Sequence, residues 1–253
     1  MSAFETLRVY GGHFFHLAEH WRRLQWSCAG LDKSLPVSSE EMTRWVENVL
    51  GESGWKDAIL RVSIHWDSSE SGILLAIARE FKSHPKEWYD KGVELKTAVQ
   101  RRPDPKADNP QIKCSQYAAG VLALLDQGEE KAHELLFLGP GGMVAEGTVS
   151  NIFIIKEKRV LTPSAGSGIL SGVTRSFVIG LCRARGLEVC ETYLTRHEIY
   201  NAEECFMTNT SSEVLPVVKV DGRTVGSGLP GPVTKILSDD FKQYLEMRMH
   251  DKN

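Results

Sequence analysis

The chain has 253 residues, enough for one large domain or two modest ones. Hydrophobic residues make up 42% of it and charged residues 25%, which are the proportions of a folded globular protein and exclude disorder as the main state. The formal net charge of −3 argues against bulk binding to nucleic acid or to an anionic membrane. The longest apolar stretches also fall well below the roughly 18 residues that a membrane helix needs.

The first third of the chain predicts a unit of mixed α and β structure. Two adjacent glycines after an apolar run indicate a tight hairpin turn, and apolar residues at helical spacing indicate two helices, the second with a capping-box sequence. The predicted elements are a strand at Phe4–Tyr10, helices at Leu17–Leu31 and from Ser38 to about Leu50, and strands at Ala58–Trp66 and Gly72–Arg79.

The segment 101–111 differs from its surroundings, because it contains three prolines and no apolar periodicity. We interpret this segment as an extended linker. It separates a small N-terminal α/β domain at 1–100 from a large C-terminal domain at 112–253.

The second part of the chain predicts further strands and helices without strict βαβ alternation. We therefore expect no doubly wound nucleotide-binding sheet. The predicted helices are about 115–131, Val173–Arg185, Arg196–Asn201 and Val233–Met247. The predicted strands are Glu134–Leu138, Asn151–Ile155, Leu187–Thr192, Glu204–Thr208 and a hairpin over Val217–Val225.

Cysteine usage and the N-terminal residues bear on location. The five cysteines form no C-x-x-C pair, a pattern typical of free thiols in a reducing compartment. The N-terminus lacks the apolar segment of a secretory signal. We expect a cytoplasmic protein.

Common catalytic and metal-binding motifs are missing from the sequence. It has no glycine-rich dinucleotide or P-loop motif, no H-E-x-x-H and no G-x-S-x-G. None of the eight histidines pairs with a cysteine or histidine at metal-ligand spacing. We expect no metal site.

Six short segments carry the strongest signal for function. They are Phe4–Arg8, Glu19–Leu24, Ile112–Tyr117, Val144–Phe153, Gly168–Arg175 and Thr208–Glu213. In this order and at these spacings the chain resembles the class IV aminotransferases, the pyridoxal 5'-phosphate (PLP) enzymes of fold type IV. That family includes branched-chain aminotransferases, D-amino-acid aminotransferases and 4-amino-4-deoxychorismate lyases. The resemblance covers nearly the whole chain.

The resemblance implies a two-domain α/β (mixed α+β) fold with PLP in the interdomain cleft, and a homodimer. Lys113 matches the lysine that forms a Schiff base with the cofactor. Such a lysine needs a neutral amine, and partial burial beside cations lowers the pKa of a lysine. Lys113 lies just before an apolar helix, between Ile112 and Cys114.

The resemblance also assigns residues to the ring and the phosphate of PLP. A protonated pyridine nitrogen needs a carboxylate partner, and Glu146 matches the family position. A phosphate needs helix N-terminal N–H groups, hydroxyls and a cation. The other residues implied for the cofactor are Arg61, Val173, Thr174 and Thr210 at the phosphate, Tyr117 at the ring oxygen and Leu170 on the ring face. We interpret Asn151 as a residue that stabilises a turn.

The turn with Thr210 and Ser211 is implied to bind the substrate carboxylate. The N-terminal strand is implied to form a wall of the substrate pocket through Phe4 and Arg8. Residues i and i+4 of a strand lie on the same face, so both side chains are able to point into one cleft.

Three features depart from the family pattern. Relatives have extra N-terminal strands, so we expect the strand Phe4–Tyr10 to be an uncovered sheet edge and a loose pocket wall. Lys113 and Tyr117 are four residues apart, as in D-amino-acid enzymes and lyases but not in branched-chain enzymes. Val149 stands where relatives have glycine or serine near the cofactor.

The implied reaction is PLP-dependent transfer of an amino group between an amino acid and a 2-oxo acid. The amino acid is a branched-chain L-amino acid or a D-amino acid, and Lys113 acts as the general base after its Schiff base with PLP is released. Two alternatives remain open. One is a 4-amino-4-deoxychorismate lyase that eliminates pyruvate, and the other is a PLP-binding homologue with little turnover.

Overall fold

A computed structural model describes residues 1–67, 71–115, 118–126 and 132–250. Within these ranges no helix is both long enough and apolar enough to cross a lipid bilayer. All five cysteines have free thiols.

The chain divides into two compact units. The first unit comprises Met1–Ser83, Gln111–Gln116 and Leu245–Asn253, and the second comprises His84–Pro110 and Tyr117–Tyr244. The sequence instead places the small domain at 1–100 and the linker at 101–111. The division differs because the strand that follows position 92 belongs to the sheet of the second unit.

The first unit has four strands and two complete helices among its described residues. The strands are β1 (Ser2–Tyr10), β2 (His13–Phe14), β3 (Ala58–His65) and β4 (Ile73–Glu80), and the helices are α1 (Leu17–Gly30) and α2 (Ser39–Ser53). The strands form one antiparallel sheet in the order β2-β1-β3-β4. Helix α2 begins with the predicted capping box, since Ser38 and Glu41 each accept the other's backbone N–H.

Side chains alternate along β1 between two faces. One face packs with α1 and α2 in the apolar core, where Leu7 and Val9 lie beside Leu60 and Ala58 of β3. Glu5 has the same parity as these core residues and is 0% exposed. The strand therefore directs one carboxylate into an otherwise apolar core.

Strand β1 is not the uncovered edge that we expect from the sequence. It pairs with β3 along its length and with β2 at its C-terminal end. At its N-terminal end the segment after Ile112 pairs with it: the Phe4 N–H donates to the Lys113 carbonyl, and Ala3 faces Cys114 in a β-bridge. The segment that carries Lys113 thus satisfies backbone groups of β1.

The second unit is built on a larger, mixed sheet. Its described strands are β5 (Val93–Arg101), β6 (Glu134–Leu138), β7 (Val144–Gly147), β8 (Asn151–Lys156), β9 (Arg159–Pro163), β10 (Val189–Thr192), β11 (Glu204–Asn209), β12 (Glu213–Val220) and β13 (Arg223–Thr224). Eight of these described strands follow the order β10-β9-β8-β11-β12-β5-β6-β7, and β13 pairs with β12. β5 runs parallel to both β12 and β6, which assigns residues 93–101 to this sheet.

The helices after position 84 agree in most places with the sequence prediction. They are α3 (Lys86–Lys91), α4 (Ala118–Leu125), α5 (Val173–Ala184), α6 (Arg196–Tyr200) and α7 (Pro232–His250). The predicted helix over 115–131 is observed as the shorter α4 within the described residues. The sequence does not predict β5, β7 or β9. The Val217–Val225 hairpin is observed as β12 and β13, with its turn at Asp221 and Gly222.

Candidate active site

Lys113 is held by its backbone in the first unit. Its N–H donates to the Ser27 hydroxyl over 3.0 Å, and its carbonyl accepts the Phe4 N–H over 3.0 Å. The Ser27 hydroxyl in turn donates to the Arg23 carbonyl one helical turn earlier in α1. Helix α1 and strand β1 therefore fix the peptide of Lys113 from two sides.

The side chains of Phe4, Arg61 and Lys113 meet at one aromatic ring. The Lys113 Nζ lies 4.6 Å from the centroid of the Phe4 ring, and the Arg61 Cζ lies 3.7 Å from the same centroid. Such distances give favourable cation–π contacts. The structure therefore brings three of the predicted site residues together.

Arg8 lies on the same face of β1 as Phe4, as predicted, but its guanidinium contacts other residues. Its Cζ lies 4.2 Å from the centroid of the Tyr10 ring and 3.6 Å from that of Phe81, and it pairs with Asp57 at 3.4 Å. Four residues of strand span about 13 Å. The guanidinium thus lies near the opposite end of β1 from Phe4.

A buried ionic cluster lies between β1 and α1, next to the Lys113 peptide. The Glu5 carboxylate accepts from both Nε and a terminal nitrogen of Arg23, each at 2.7 Å, and contacts His20 Nδ1 at 2.8 Å. Burial alone would raise the pKa of Glu5, but the charges and hydrogen bonds of Arg23 and His20 outweigh it and lower that pKa well below its usual value. Burial lowers the pKa of His20.

This ionic cluster is not among the features predicted from the sequence. One signal for it is present in the sequence: His20, Arg23 and Ser27 lie on the same face of α1 as the core residue Leu24. Polar side chains on the apolar face of a helix need buried partners. The partner, Glu5, has the inward parity of β1.

Glu146 is the buried carboxylate of the second unit that matches the predicted ring partner. It lies in β7 and is 7% exposed. Its Oε1 is 2.9 Å from a terminal nitrogen of Arg102, and its Oε2 accepts the Leu170 N–H at 2.9 Å and the Asn151 side-chain amide at 3.3 Å. The Asn151 amide also donates to the Leu170 carbonyl at 2.9 Å. Asn151 therefore joins the two predicted residues Glu146 and Leu170.

The loop between Glu146 and Asn151 is held by a second carboxylate. Glu134 of β6 accepts the Val149 N–H at 2.7 Å and the Ser150 hydroxyl at 2.9 Å. Gly147 permits this approach, because a Cβ there would lie 2.2 Å from Glu134 Oε1. Val149 itself is exposed.

The N-terminal end of α5 lies against this cluster. Gly172 is the N-cap residue, and a Cβ there would lie 2.1 Å from Asn151 Oδ1, so only glycine fits without movement. No side chain caps this end of α5 in the described part of the chain. The N–H groups of the first helical turn, to which the predicted residues Val173 and Thr174 belong, lack partners within the helix and suit an anion.

The predicted turn with Thr210 and Ser211 follows β11. It is shaped by Asn209, whose Oδ1 accepts the Ser211 N–H at 2.9 Å and the Ser212 N–H at 2.7 Å. Thr208, the last residue before this turn that pairs with β8, lies opposite Asn151. The turn therefore begins two residues after Thr208, which lies opposite Asn151, the residue that contacts Glu146.

One buried hydroxyl in this region lacks a partner. Thr208 Oγ1 is buried and makes no hydrogen bond to any described residue. Such orphaned groups are rare in folded proteins and suit a hydrogen bond to water or to a ligand. The predicted ring-oxygen residue Tyr117 lies outside the described residues.

Comparison with known proteins places the chain in a family. The sequence profile of the family described as amino-transferase class IV matches residues 2–220. The chain is similar to the branched-chain-amino-acid aminotransferase of Pseudomonas aeruginosa, with 30% identity over 255 residues that cover 95% of this chain and 83% of the relative. It is also similar to the D-alanine aminotransferase of Bacillus licheniformis, with 30% identity over 252 residues that cover 92% and 84%.

The fold agrees with this result. The crystal structure of the T.th. branched-chain amino acid aminotransferase with pyridoxamine 5'-phosphate is similar to the chain with a TM-score of 0.90 and 28% identity, covering 96% of this chain and 85% of that one. The Escherichia coli branched-chain amino acid aminotransferase also gives a TM-score of 0.90 at 28% identity, covering 96% and 84%. The chain therefore belongs to the class IV aminotransferases, which are PLP-dependent enzymes of fold type IV.

Proposed function

We propose that Lys113 is the lysine that carries PLP and that the substrates are a 2-oxo acid and either a branched-chain L-amino acid or a D-amino acid. The observation that carries this proposal is the two-sided backbone anchor of Lys113, by Ser27 and Phe4, at the position of the family motif. The substrate classes follow from two of the similar proteins, one a branched-chain and one a D-alanine aminotransferase.

The donor set of the second unit fits PLP. The cofactor has a ring nitrogen that needs an anion and a phosphate that needs N–H and hydroxyl donors. The described residues supply the buried carboxylate of Glu146, the uncapped start of α5 and the orphaned Thr208 hydroxyl. When bound, PLP supplies an electron sink for the substrate's α-carbon.

Each proposed cofactor residue has a defined task. The Val173 and Thr174 N–H groups and the Thr210 hydroxyl bind the phosphate, with Arg61 as the cation. Glu146 holds the ring nitrogen protonated. The contact of Arg61 with the ring that Lys113 also contacts supports placing both cations in one site.

Lys113 is proposed to move the substrate's α-proton with its Nζ. To accept this proton, Nζ must be neutral when it acts. The backbone hydrogen bonds to Ser27 and Phe4 fix the point from which the Lys113 side chain extends.

The substrate carboxylate is proposed to bind at the turn with Thr210 and Ser211. The side chain of Asn209 holds the backbone of this turn. Phe4 is proposed as an apolar wall for the substrate side chain. Arg8 is a weaker candidate, because its guanidinium already contacts Tyr10, Phe81 and Asp57.

Borohydride reduction tests the assignment of Lys113. The purified protein should be yellow, and reduction should fix PLP to the peptide that contains Lys113, as read by mass spectrometry. Lys113→Ala should lose turnover and bind PLP only non-covalently, whereas Lys56→Ala, a change at an exposed lysine of the same unit, should keep both properties. A label on any other lysine would overturn the assignment.

The same protein distinguishes the two enzyme reactions. Single L- and D-amino acids should give the matching 2-oxo acid and the aminated cofactor. Release of pyruvate from 4-amino-4-deoxychorismate, without formation of a 2-oxo acid from simple amino acids, would instead support a lyase.

We also propose a homodimer that forms through an apolar surface of the second unit. Val121, Leu122 and Leu125 are exposed on α4, and Val99 is exposed on β5, which α4 contacts. Clustered exposed apolar side chains mark interaction surfaces. Light scattering after gel filtration should give twice the chain mass of 28.2 kDa, and Leu122→Glu should give the monomer mass. A wild-type monomer would contradict the proposal.

A cytoplasmic location is proposed on the basis of the five free thiols, which suit a reducing compartment. Cell fractionation checks it. Recovery of the protein from a periplasmic or extracellular fraction would contradict it.

A further inference from the structure

Arg102 lies directly after β5, in the proline-rich segment 101–111, for which the sequence predicts a linker. Its N–H donates to the Leu138 carbonyl of β6 at 2.9 Å, and its guanidinium Cζ lies 4.7 Å from the centroid of the fully buried Phe137 ring. Its side chain is 18% exposed. Arg102 is therefore part of the packed sheet of the second unit.

The guanidinium of Arg102 forms an ion pair with Glu146. A terminal nitrogen lies 2.9 Å from Glu146 Oε1, whereas Oε2 is bound by the neutral donors of Leu170 and Asn151. The carboxylate thus has a cation at one oxygen and two N–H donors at the other. Three fixed donors define its orientation.

A second buried carboxylate of the same unit, Glu134, shows what the cation at Glu146 contributes. Glu134 is 6% exposed, about as buried as Glu146, and is bound by the neutral donors of Val149 and Ser150. Burial raises the pKa of Glu134, and its hydrogen bonds only partly offset this. With neutral donors alone, burial therefore still disfavours the charged form of a carboxyl, whereas an adjacent guanidinium favours that form.

We propose that Arg102 is a positioning residue that keeps the Glu146 carboxylate ionised and oriented toward the ring nitrogen of PLP. This inference rests on the proposed role of Glu146. It gives the segment 101–111 a function in the site, through an arginine that is not among the residues predicted from the sequence.

The proposal has a specific chemical consequence. Arg102 acts on the cofactor only through the ring nitrogen, so its loss should weaken binding of PLP but not of an analogue in which carbon replaces that nitrogen (1-deaza-PLP). A purely structural role would weaken both ligands alike, because both present the same phosphate and aldehyde. The pair of ligands therefore separates the two roles.

The test titrates the full chain, stripped of cofactor, with PLP and with 1-deaza-PLP and follows the protein fluorescence. Arg102→Met should weaken PLP binding about ten- to a hundredfold, the range for loss of a charge-assisted hydrogen bond, and should change binding of 1-deaza-PLP less than threefold. Arg102→Lys should restore most of the PLP affinity. Arg185→Met, which removes the Arg185–Asp240 pair of the same unit, should affect neither ligand.

Two results would overturn the proposal: an equal loss for both ligands in Arg102→Met, or unchanged PLP affinity. If Arg102→Met does not fold, Arg102→Gln provides the same comparison with a polar side chain of similar reach. Borohydride fixation is run in parallel on the wild type. Failure to label Lys113 there would refute the proposed function, whereas normal labelling with no selective loss of PLP affinity would refute only the role of Arg102.

Discussion

Glu5 of the first unit and Glu134 of the second are both buried, at 0% and 6% exposure. They differ in the charge of the groups that bind them. Glu5 is bound by Arg23 at two nitrogens and by His20. Glu134 is bound by a backbone N–H and a serine hydroxyl. The pKa of Glu5 is lowered and that of Glu134 is raised.

The difference indicates that, for two equally buried carboxyls, the charge of the partner decides the direction in which the pKa moves. Both serve the proposed site indirectly. Glu5 is tied through Arg23 to the helix that anchors the Lys113 peptide, and Glu134 holds the loop between Glu146 and Asn151. A fixed charge pair stabilises one region and a set of hydrogen bonds stabilises the other, so substitutions should affect them to different extents.

Glu5→Gln should have the largest effect. It leaves the Arg23 guanidinium buried without its counter-ion, and breaking one side of a buried ion pair costs about 3–5 kcal/mol. Urea unfolding followed by tryptophan fluorescence measures it, because five of the six tryptophans lie in the first unit. Glu47→Gln, at an exposed position of α2, is the control and should change stability by less than about 0.5 kcal/mol.

The effect of Glu5→Gln should also depend on pH. Because the folded state lowers the pKa of Glu5 below the ordinary value of 4.5, its stabilisation is complete above that value and is lost as the pH falls through the folded-state pKa. The stability difference between wild type and variant should therefore be constant from pH 6 to 8 and shrink in more acidic solution. A difference below about 1 kcal/mol at pH 7 would contradict the ion-pair interpretation.

Part of the proposed site is predictable from the sequence. The alternation of side chains along β1 places Glu5 on the same, inward face as Leu7. The spacing of the family motifs indicates Lys113 and Glu146 as site residues. Strand and helix patterns give most elements, including the capping box of α2. Local chemistry of this kind depends on neighbours in the chain, so it is readable from the sequence.

The long-range contacts were not predictable in the same way. Ser27 bonds to Lys113 across 86 positions, and the choice of partner depends on how α1 packs on the sheet. Arg102 lies in a segment whose prolines suggest a linker. The pairing of β5 with β6 nevertheless places its guanidinium beside Glu146. The short strands β7 and β9 have too few residues to show a clear alternation.

Glu134→Gln should have the smallest effect of the set, and its sign should be opposite to that of Glu5→Gln. Burial raises the pKa of Glu134, so the ionised carboxylate opposes folding once the pH exceeds the ordinary carboxyl pKa. The amide oxygen of glutamine still accepts from Val149 and Ser150 without a charge to bury. We expect the variant to be about 0.5–1 kcal/mol more stable than wild type at pH 8, since burying a charge that has no oppositely charged partner costs free energy.

The pH dependence distinguishes this explanation from a change in packing. A carboxyl with a raised folded-state pKa favours the folded state at low pH, and this contribution is lost as the pH rises through that pKa. The advantage of Glu134→Gln should therefore be absent near pH 4 and grow toward pH 8. Hydrogen exchange of the β6 amides at several pH values measures it within the second unit. A variant that is less stable by the same amount at every pH would show that the fit of the carboxylate to its donors, and not its charge, governs this loop.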